Sequence, residues 1–464
     1  MLRFHQLHPH TAYVSNNLLL PRSAINEAVV KAALTIQLSD EEPMLDEFGQ
    51  LIAMRAATLK MWSETAHHLI VPREFLKEDQ YAGFDCPFVV LPRPVYPVAG
   101  IGDRISLRDA EQEEAFRAMM GSDCGTINLS CGKGKTVIAL KVAAALNRPT
   151  IVVVNTTALL EQWKEEISRH LDVSSIGTIQ GTTCDWQHPI ALAMVHTLSS
   201  RSWPMEFRRY FGLVLYDEGH HMSAPVFVKS ADLFYGRRFS LTATATRTDG
   251  LERIYQYHLG RVIHTNLSQE LVPHTYFHVL EWELPPGDRK KVLDKYQEVN
   301  TAKVRTYLGG LDWRNEIIYQ HLRADLAEGR KILVLSHSVE HVDRLHSYLS
   351  GAGGGMIVGE TPQESRMAIL HNCNPVFGTF QLAREGLNKP SLDTLYIVTP
   401  FSNQNDLQQA WGRIQRVYPN KLAPIVRVFE DTALSCSKKY CNHLRYTLRR
   451  LDYPYTIDTG GDHE

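Results

Sequence analysis

A chain of 464 residues, 44% hydrophobic and 22% charged, has the material for two or three soluble domains. Its 49 Lys and Arg nearly balance 51 Asp and Glu; the formal charge of −2 excludes a uniformly basic domain but leaves room for one cationic channel. No apolar run is long enough to cross a bilayer, residues 1–10 lack the order of a secretory signal, and the seven cysteines form no CxxC pair, so a reducing, cytoplasmic setting is expected.

Residues 1–100 are expected to form a smaller accessory domain. They contain Trp62, several His and Tyr, and more acidic than basic residues. The region ends in the run LPRPVYP at 91–97, which punctuates rather than folds and reads as a linker. From Ile105 onward an apolar strand, a loop and a helix alternate. The pattern predicts a strand at 126–129, a helix at 136–146, a strand at 150–154, a helix at 158–170, and short β-rich runs at 190–195 and 213–216. A second break is expected at the PPG of 285–287. Beyond it come a strand at 331–335, a helix at 339–349 and a strand at 395–398. Such alternation argues for parallel sheets covered on both faces, an α/β fold with domains at 101–285 and 286–464.

The sequence LSCGKGKT at 129–136 lies between the first strand and the first helix. Gly132 and Gly134 let the backbone curl, so that the N–H groups of 131–134 (Cys131 and Lys133 included) face a phosphate chain at the positive end of the helix. Lys135 is placed to reach the β- and γ-phosphates, and the Thr136 hydroxyl to hold Mg²⁺. Leu129 stands where the strict pattern has Gly. Further along, an apolar strand ends in Asp217 and Glu218. One carboxylate suits Mg²⁺, the other a water to be activated for attack on phosphorus.

These motifs resemble those of superfamily 2 helicases. DEGH at 217–220 stands in place of their DExH box, and LTATATRTDG at 241–250 resembles the motif that couples ATP state to domain movement. VVVNTTALLEQW at 152–163 and AMVHTL at 193–198 resemble backbone-contacting segments. LVLSHS at 333–338 and TFQLAREGLNKP at 379–390 resemble motifs of the second domain, and QAWGRIQR at 409–416 fits QxxGRxxR at every fixed position. The loop and the Gln162–Trp163 pair are closest to the XPB-type group; phage branch-migration helicases of the UvsW type are similar, and the compact length suits a phage enzyme. Asn388 stands where the family carries Asp, and Gln112 stands for the adenine-reading glutamine.

The resemblance implies two tandem RecA-like domains that use ATP and Mg²⁺. Lys135, Asp217, Glu218, Arg413 and Arg416 would be catalytic. Gln112, Gly386 and the loop would hold nucleotide; His220, Thr242, Thr244 and Gln409 would couple hydrolysis to movement; Thr156, Gln162, Thr197, Ser336 and Thr379 would meet the DNA backbone. The expected activity is that of a monomeric motor on branched, forked or duplex DNA, alone or with replication or recombination proteins and away from membranes. An RNA helicase, the motor subunit of a restriction or repair complex, and an ATP-gated switch are the alternatives. Cys436, Cys441 and His443 lack the spacing of a common zinc site.

Overall fold

The computed structural model describes residues 7–45, 51–77, 80, 83–130, 132–218, 224–243, 252–267, 271–294, 296–349, 353–359, 361–380, 389–400 and 410–459. The chain divides into two compact units, Met1–Leu267 and Ser268–Glu464.

The first unit opens with β1 (Ala12–Val14), β2 (Asn17–Pro21), α1 (Glu27–Ala33), β3 (Thr35–Leu45), β4 (Leu51–Lys60), β5 (Ser63–Glu64), β6 (His68–Pro72) and β7 (Phe88–Val90). Five of these strands form a sheet in the order β5-β6-β2-β1-β7, while β3 and β4 pair with each other as an antiparallel hairpin. This region is not a separate domain. Its buried Leu18, Leu20, Leu69 and Val71 share one apolar core with Ile151, Val153, Phe211, Phe227 and Leu259 from farther along the chain. Arg238, fully buried, adds a polar tie by donating to the carbonyls of Asn16 at 2.8 Å and Ala231 at 3.0 Å. The Pro-rich run is likewise not a free linker: Leu91 N donates to Val14 O, Ala99 N donates to Asn147 O, and Tyr96 is buried.

Then follow β8 (Gly102–Asp103), α2 (Ala110–Met120), β9 (Cys124–Leu129), α3 (Lys135–Leu146), β10 (Thr150–Val154), α4 (Thr157–His170), β11 (Leu171–Asp172), β12 (Ile176–Gln180), β13 (Thr183–Asp185) and β14 (Ile190–Met194). After them come α5 (Val195–Ser200), α6 (Met205–Tyr210), β15 (Leu213–Asp217), α7 (Ala224–Ala231), β16 (Arg237–Thr242), α8 (Glu252–Leu259) and β17 (Val262–Asn266). The main sheet runs β13-β12-β14-β10-β15-β16-β9-β17 and is parallel except at β12–β13. Strand alternation sends Ile151 and Val153 into one core and Val152 and Val154 into another, which is why the strand reads as a continuous apolar run.

The second unit contains β18 (His274–Leu280), α9 (Arg289–Val292), α10 (Thr301–Gly309), α11 (Asp312–Ala327), β19 (Ile332–Ser336), α12 (Val339–Ser347), β20 (Gly355–Ile357), α13 (Gln363–Asn372) and β21 (Val376–Thr379). It closes with β22 (Thr394–Ile397), β23 (Ile425–Asp431), α14 (Ser435–Arg450) and β24 (Tyr455–Asp458). The sheet order is β20-β21-β19-β22-β23-β18-β24, all parallel. The boundary expected at 285 falls instead at 267, because β18 pairs with β23 from His274↔Ile425 to Leu280↔Asp431. The prolines at 285 and 286 mark a turn inside the second unit, between β18 and α9. At its centre Arg314 and Asp431 form an ion pair that is wholly buried on both sides, with contacts of 2.9, 3.2 and 3.0 Å.

Candidate functional site

Because β9, β15 and β16 are parallel neighbours, their C-terminal ends share one edge. Register places Asp217 beside Leu241 and Thr242 beside Asn128. The segment after β9 turns through Gly132 (φ +85°) and Gly134 (φ +81°), both in the left-handed region where a side chain is strained. A Cβ at Gly134 would come within 2.5 Å of Gln112 Nε2, so the turn needs glycine for space as well. Gly134 is the N-cap of α3 and, among the described residues, no side chain caps that helix, leaving its first N–H groups and its positive end to the loop. Such a concave, N–H-lined cradle fits phosphate.

Lys135 donates to Leu129 O at 3.1 Å and pairs with Glu218 Oε1 at 3.4 Å. Asp217 is only 7% exposed and accepts a 2.8 Å hydrogen bond from Trp163 Nε1. Burial, then the adjacent Glu218 charge, raise the Asp217 carboxyl to about 6, against the opposing pull of Trp163 and Lys135. Glu218 follows with φ +48°, held by its N–H to Leu241 O at 2.9 Å, and Thr242 donates to Glu218 Oε2 at 3.5 Å. Lys135, Asp217, Glu218 and Thr242 are thus brought together, with Thr136 in the first turn of α3.

Gln112 sits in the first turn of α2, whose N-cap Asp109 accepts from Gln112 N. Its amide bridges two backbones: Oε1 accepts from Arg108 N at 2.9 Å and Nε2 donates to Lys133 O at 3.1 Å. A small recess lies here, lined by Asp109, Glu111, Gln112, Leu129, Lys133, Ile138 and Asn266. The Lys133 side chain is not turned to the loop's phosphate cradle; it reaches Glu111 at 3.2 Å, so any nucleotide contact falls to its backbone.

The other expected residues are placed unevenly. Cys131, His220, Thr244, Gly386 and Gln409 lie outside the described residues. Thr156 caps α4 by accepting from Leu159 N, Gln162 is half-buried on that helix, and Thr197 accepts from Gly181 N at 3.2 Å. Thr379 ends β21. Ser336 is a correction: it is fully buried, its hydroxyl 3.0 Å from His341 Nδ1 and accepting from Ser338 N, so it serves the start of α12 rather than a nucleic-acid surface. Arg413 and Arg416 are half-buried in the second unit, beside Ala410, Trp411 and Ile414 of its core. Sequence reasoning missed Trp163 as the donor to Asp217. The two are 54 positions apart, and no local spacing joins them; the signal was the buried face of α4 alone.

A glycine loop ending a parallel strand, a lysine behind it and two carboxylates at the end of the next strand but one in the same sheet define a P-loop nucleoside-triphosphatase, here followed by a second parallel sheet. Residues 104–247 match the family model described as the type III restriction enzyme res subunit, and residues 313–418 that of the helicase conserved C-terminal domain. A protein of Acanthamoeba polyphaga mimivirus, named as an ATP-dependent RNA helicase, is 26% identical over 75% of this chain and 70% of its own. The DNA 3'-5' translocase XPB2 of Sulfurisphaera tokodaii is 31% identical over 46% of each chain, so this chain spans less than half of that relative. A protein of Escherichia phage T5 named helicase D10 is 24% identical over 72% of this chain and 73% of its own. Among solved structures, the DNA-bound type ISP restriction-modification enzyme LlaBIII shares the fold over 77% of this chain and 32% of its own, at 14% identity and a TM-score of 0.52. The chain belongs to the superfamily 2 helicases and is an ATP-dependent helicase related to the XPB group and to viral and phage helicases. That membership implies ATP and, typically, Mg²⁺. No helix among the described residues is long and apolar enough to cross a membrane.

Proposed function

We infer that this helicase is an ATP-driven translocase on duplex or branched DNA, suited to branch migration or fork remodelling. The observation that carries the hydrolytic half is the contact of Lys135 with Glu218 beside a buried Asp217. The DNA half is supported by the 31% identity to a relative named as a DNA translocase. The mimivirus relative, named for RNA, keeps an RNA helicase as the second reading.

In this reading the N–H groups of residues 131–134 and the Lys135 ammonium bind the phosphate chain, and the Gln112 amide, at the rim of the recess, orients the base. Thr136 and Asp217 would hold Mg²⁺, which neutralises charge on the phosphates. Glu218 turns a water toward phosphorus and takes its proton. Thr242, bonded to Glu218, links this base to the end of β16. Arg413 and Arg416 act on the transferring phosphoryl group; an arginine in that role contributes about 10³ to 10⁵ in rate. Thr156, Gln162, Thr197 and Thr379 contact backbone phosphates, which positions a strand without reading its sequence. The test is ATPase rate with single-stranded DNA, duplex, a four-way junction and RNA, beside Glu218→Gln. Stimulation by junction or duplex that vanishes in the variant supports the reading, and stimulation by RNA alone replaces the substrate with RNA.

A further inference from the structure

At the opposite end of the first unit's sheet, where β9, β10, β15 and β16 begin, arginines gather. Arg93 and Tyr96 come from the Pro-rich run, Arg148 from the turn after α3, and Arg209 from the end of α6. Tyr96 is 8% exposed and Arg148 lies over its ring at 5.5 Å. The packing is close: a Cβ at Gly212 would meet Arg148 Cβ at 2.8 Å and Tyr96 Cγ at 3.1 Å. Arg93 pairs with Asp123, and Arg73 and Arg237 approach the same carboxylate at 3.5 Å. Arg148 and Arg209 have no carboxylate partner among the described residues, and Glu74, 3.5 Å from Arg73, is the other acid in the cluster's ion pairs.

Two features show that the cluster is incomplete. The Tyr96 hydroxyl is buried with no hydrogen-bond partner among the described residues, and so is Nε of Arg209. A buried donor left without an acceptor opposes folding, and an incoming acceptor relieves that cost. The phenol is also ringed by charge: burial pushes it up to about 12, while Arg93, Arg148, Arg73 and Arg209 all pull it down. Crowded guanidiniums repel one another, and their forked N–H groups match phosphate oxygens. This is not the nucleotide site, because the six residues of β9 separate the two ends of the sheet by roughly 20 Å.

The structure assigns this floor as a second phosphate-binding site, one that takes the backbone phosphates of a nucleic acid. Arg148 is exposed and Arg93 is 30% exposed, so a long polyanion can lie across them. The Thr156 and Thr197 positions follow the other ends of β10 and β14, so the floor would hold a different segment from theirs. The assignment rests on the nucleic-acid reading above.

The test is fluorescence anisotropy of a labelled 30-bp duplex across a potassium chloride series, with wild type, the double variant Arg93→Gln with Arg148→Gln, and Tyr96→Phe. Removing two phosphate contacts should lower the slope of log affinity against log salt by about 1.8 and weaken binding roughly 60-fold at 0.1 M salt. The rate of ATP hydrolysis without nucleic acid should not change. Tyr96→Phe, which deletes one hydroxyl and cannot unfold the chain by charge loss, should weaken binding several-fold at an unchanged slope. Wild-type slope and affinity in both variants overturn the floor site and leave the motor reading intact. Failure of the wild type to bind duplex, single strand or RNA overturns both. Calorimetric binding of inorganic phosphate that the double variant loses, with duplex binding unchanged, overturns nucleic acid as the occupant.

Discussion

Replacing Trp163 with Phe removes one donor from Asp217 and nothing else polar. The bond is 2.8 Å long and both partners are buried, so no water can take the indole's place cheaply. A hydrogen bond to a charged acceptor is worth about 1.5–3 kcal/mol, and one to a neutral acceptor about 0.5–1.5. Asp217 titrates at about 6, so it is ionised at pH 8 and protonated at pH 4.5. Its folded value lies above the ordinary 3.8; the group's contribution to stability is therefore fully present below pH 3.8 and lost as pH rises through about 6. The variant raises that value further, by about one pH unit for each 1.36 kcal/mol lost by the carboxylate. Packing lost with the indole ring is the same at both pH values. The destabilisation by Trp163→Phe should thus be larger at pH 8 than at pH 4.5 by about 1–1.5 kcal/mol. Urea unfolding of both proteins in EDTA at the two pH values measures it. Equal losses at both would refute the idea that Trp163 stabilises the ionised form of Asp217.

Asp217→Asn should abolish ATPase yet stabilise the metal-free protein at pH 8 by up to about 3 kcal/mol, seen as a higher Tm, since the charged carboxylate is held far from its usual 3.8. Gly134→Ala places a Cβ at φ +81° and 2.5 Å from Gln112 Nε2, so stability should fall by about 1–3 kcal/mol and titration with a fluorescent ATP analogue should show at least a tenfold weaker Kd. Arg314→Met leaves Asp431 charged and sealed; about 3–5 kcal/mol should be lost in guanidinium unfolding, and adding Asp431→Leu should recover most of it.

The parallel strands were legible because burial on both faces writes a continuous apolar run: 150–154 and 213–216 match β10 and β15 to within a residue. The loop was legible because left-handed turns demand glycine at 132 and 134. What the sequence hid are long-range partnerships. Trp163 finds Asp217 only because α4 packs against the sheet that carries β15. The first hundred residues looked independent since composition carries no record of which core a strand enters; Leu18 and Leu69 merge with Ile151 and Phe211. PPG at 285–287 misled for a similar reason, since a turn signal does not say whether the next strand joins the old sheet or a new one. Ser336 carried a motif position but lies fully buried, its hydroxyl engaged near His341.

The pairing of Lys135 with Glu218 has a consequence for timing. The lysine side chain is 12% exposed and the glutamate 19%, and each offsets the other's charge. Lys135 that turns to a phosphate leaves Glu218 as a carboxylate beside ionised Asp217, with Thr242 still donating to it. In the proposed mechanism the phosphate chain would take Lys135 from Glu218 in a single change of partner. Lys135→Met should therefore weaken nucleotide binding, read as a raised Kd in titration with a fluorescent ATP analogue, and leave Glu218 Oε1 without its 3.4 Å ion pair to Lys135.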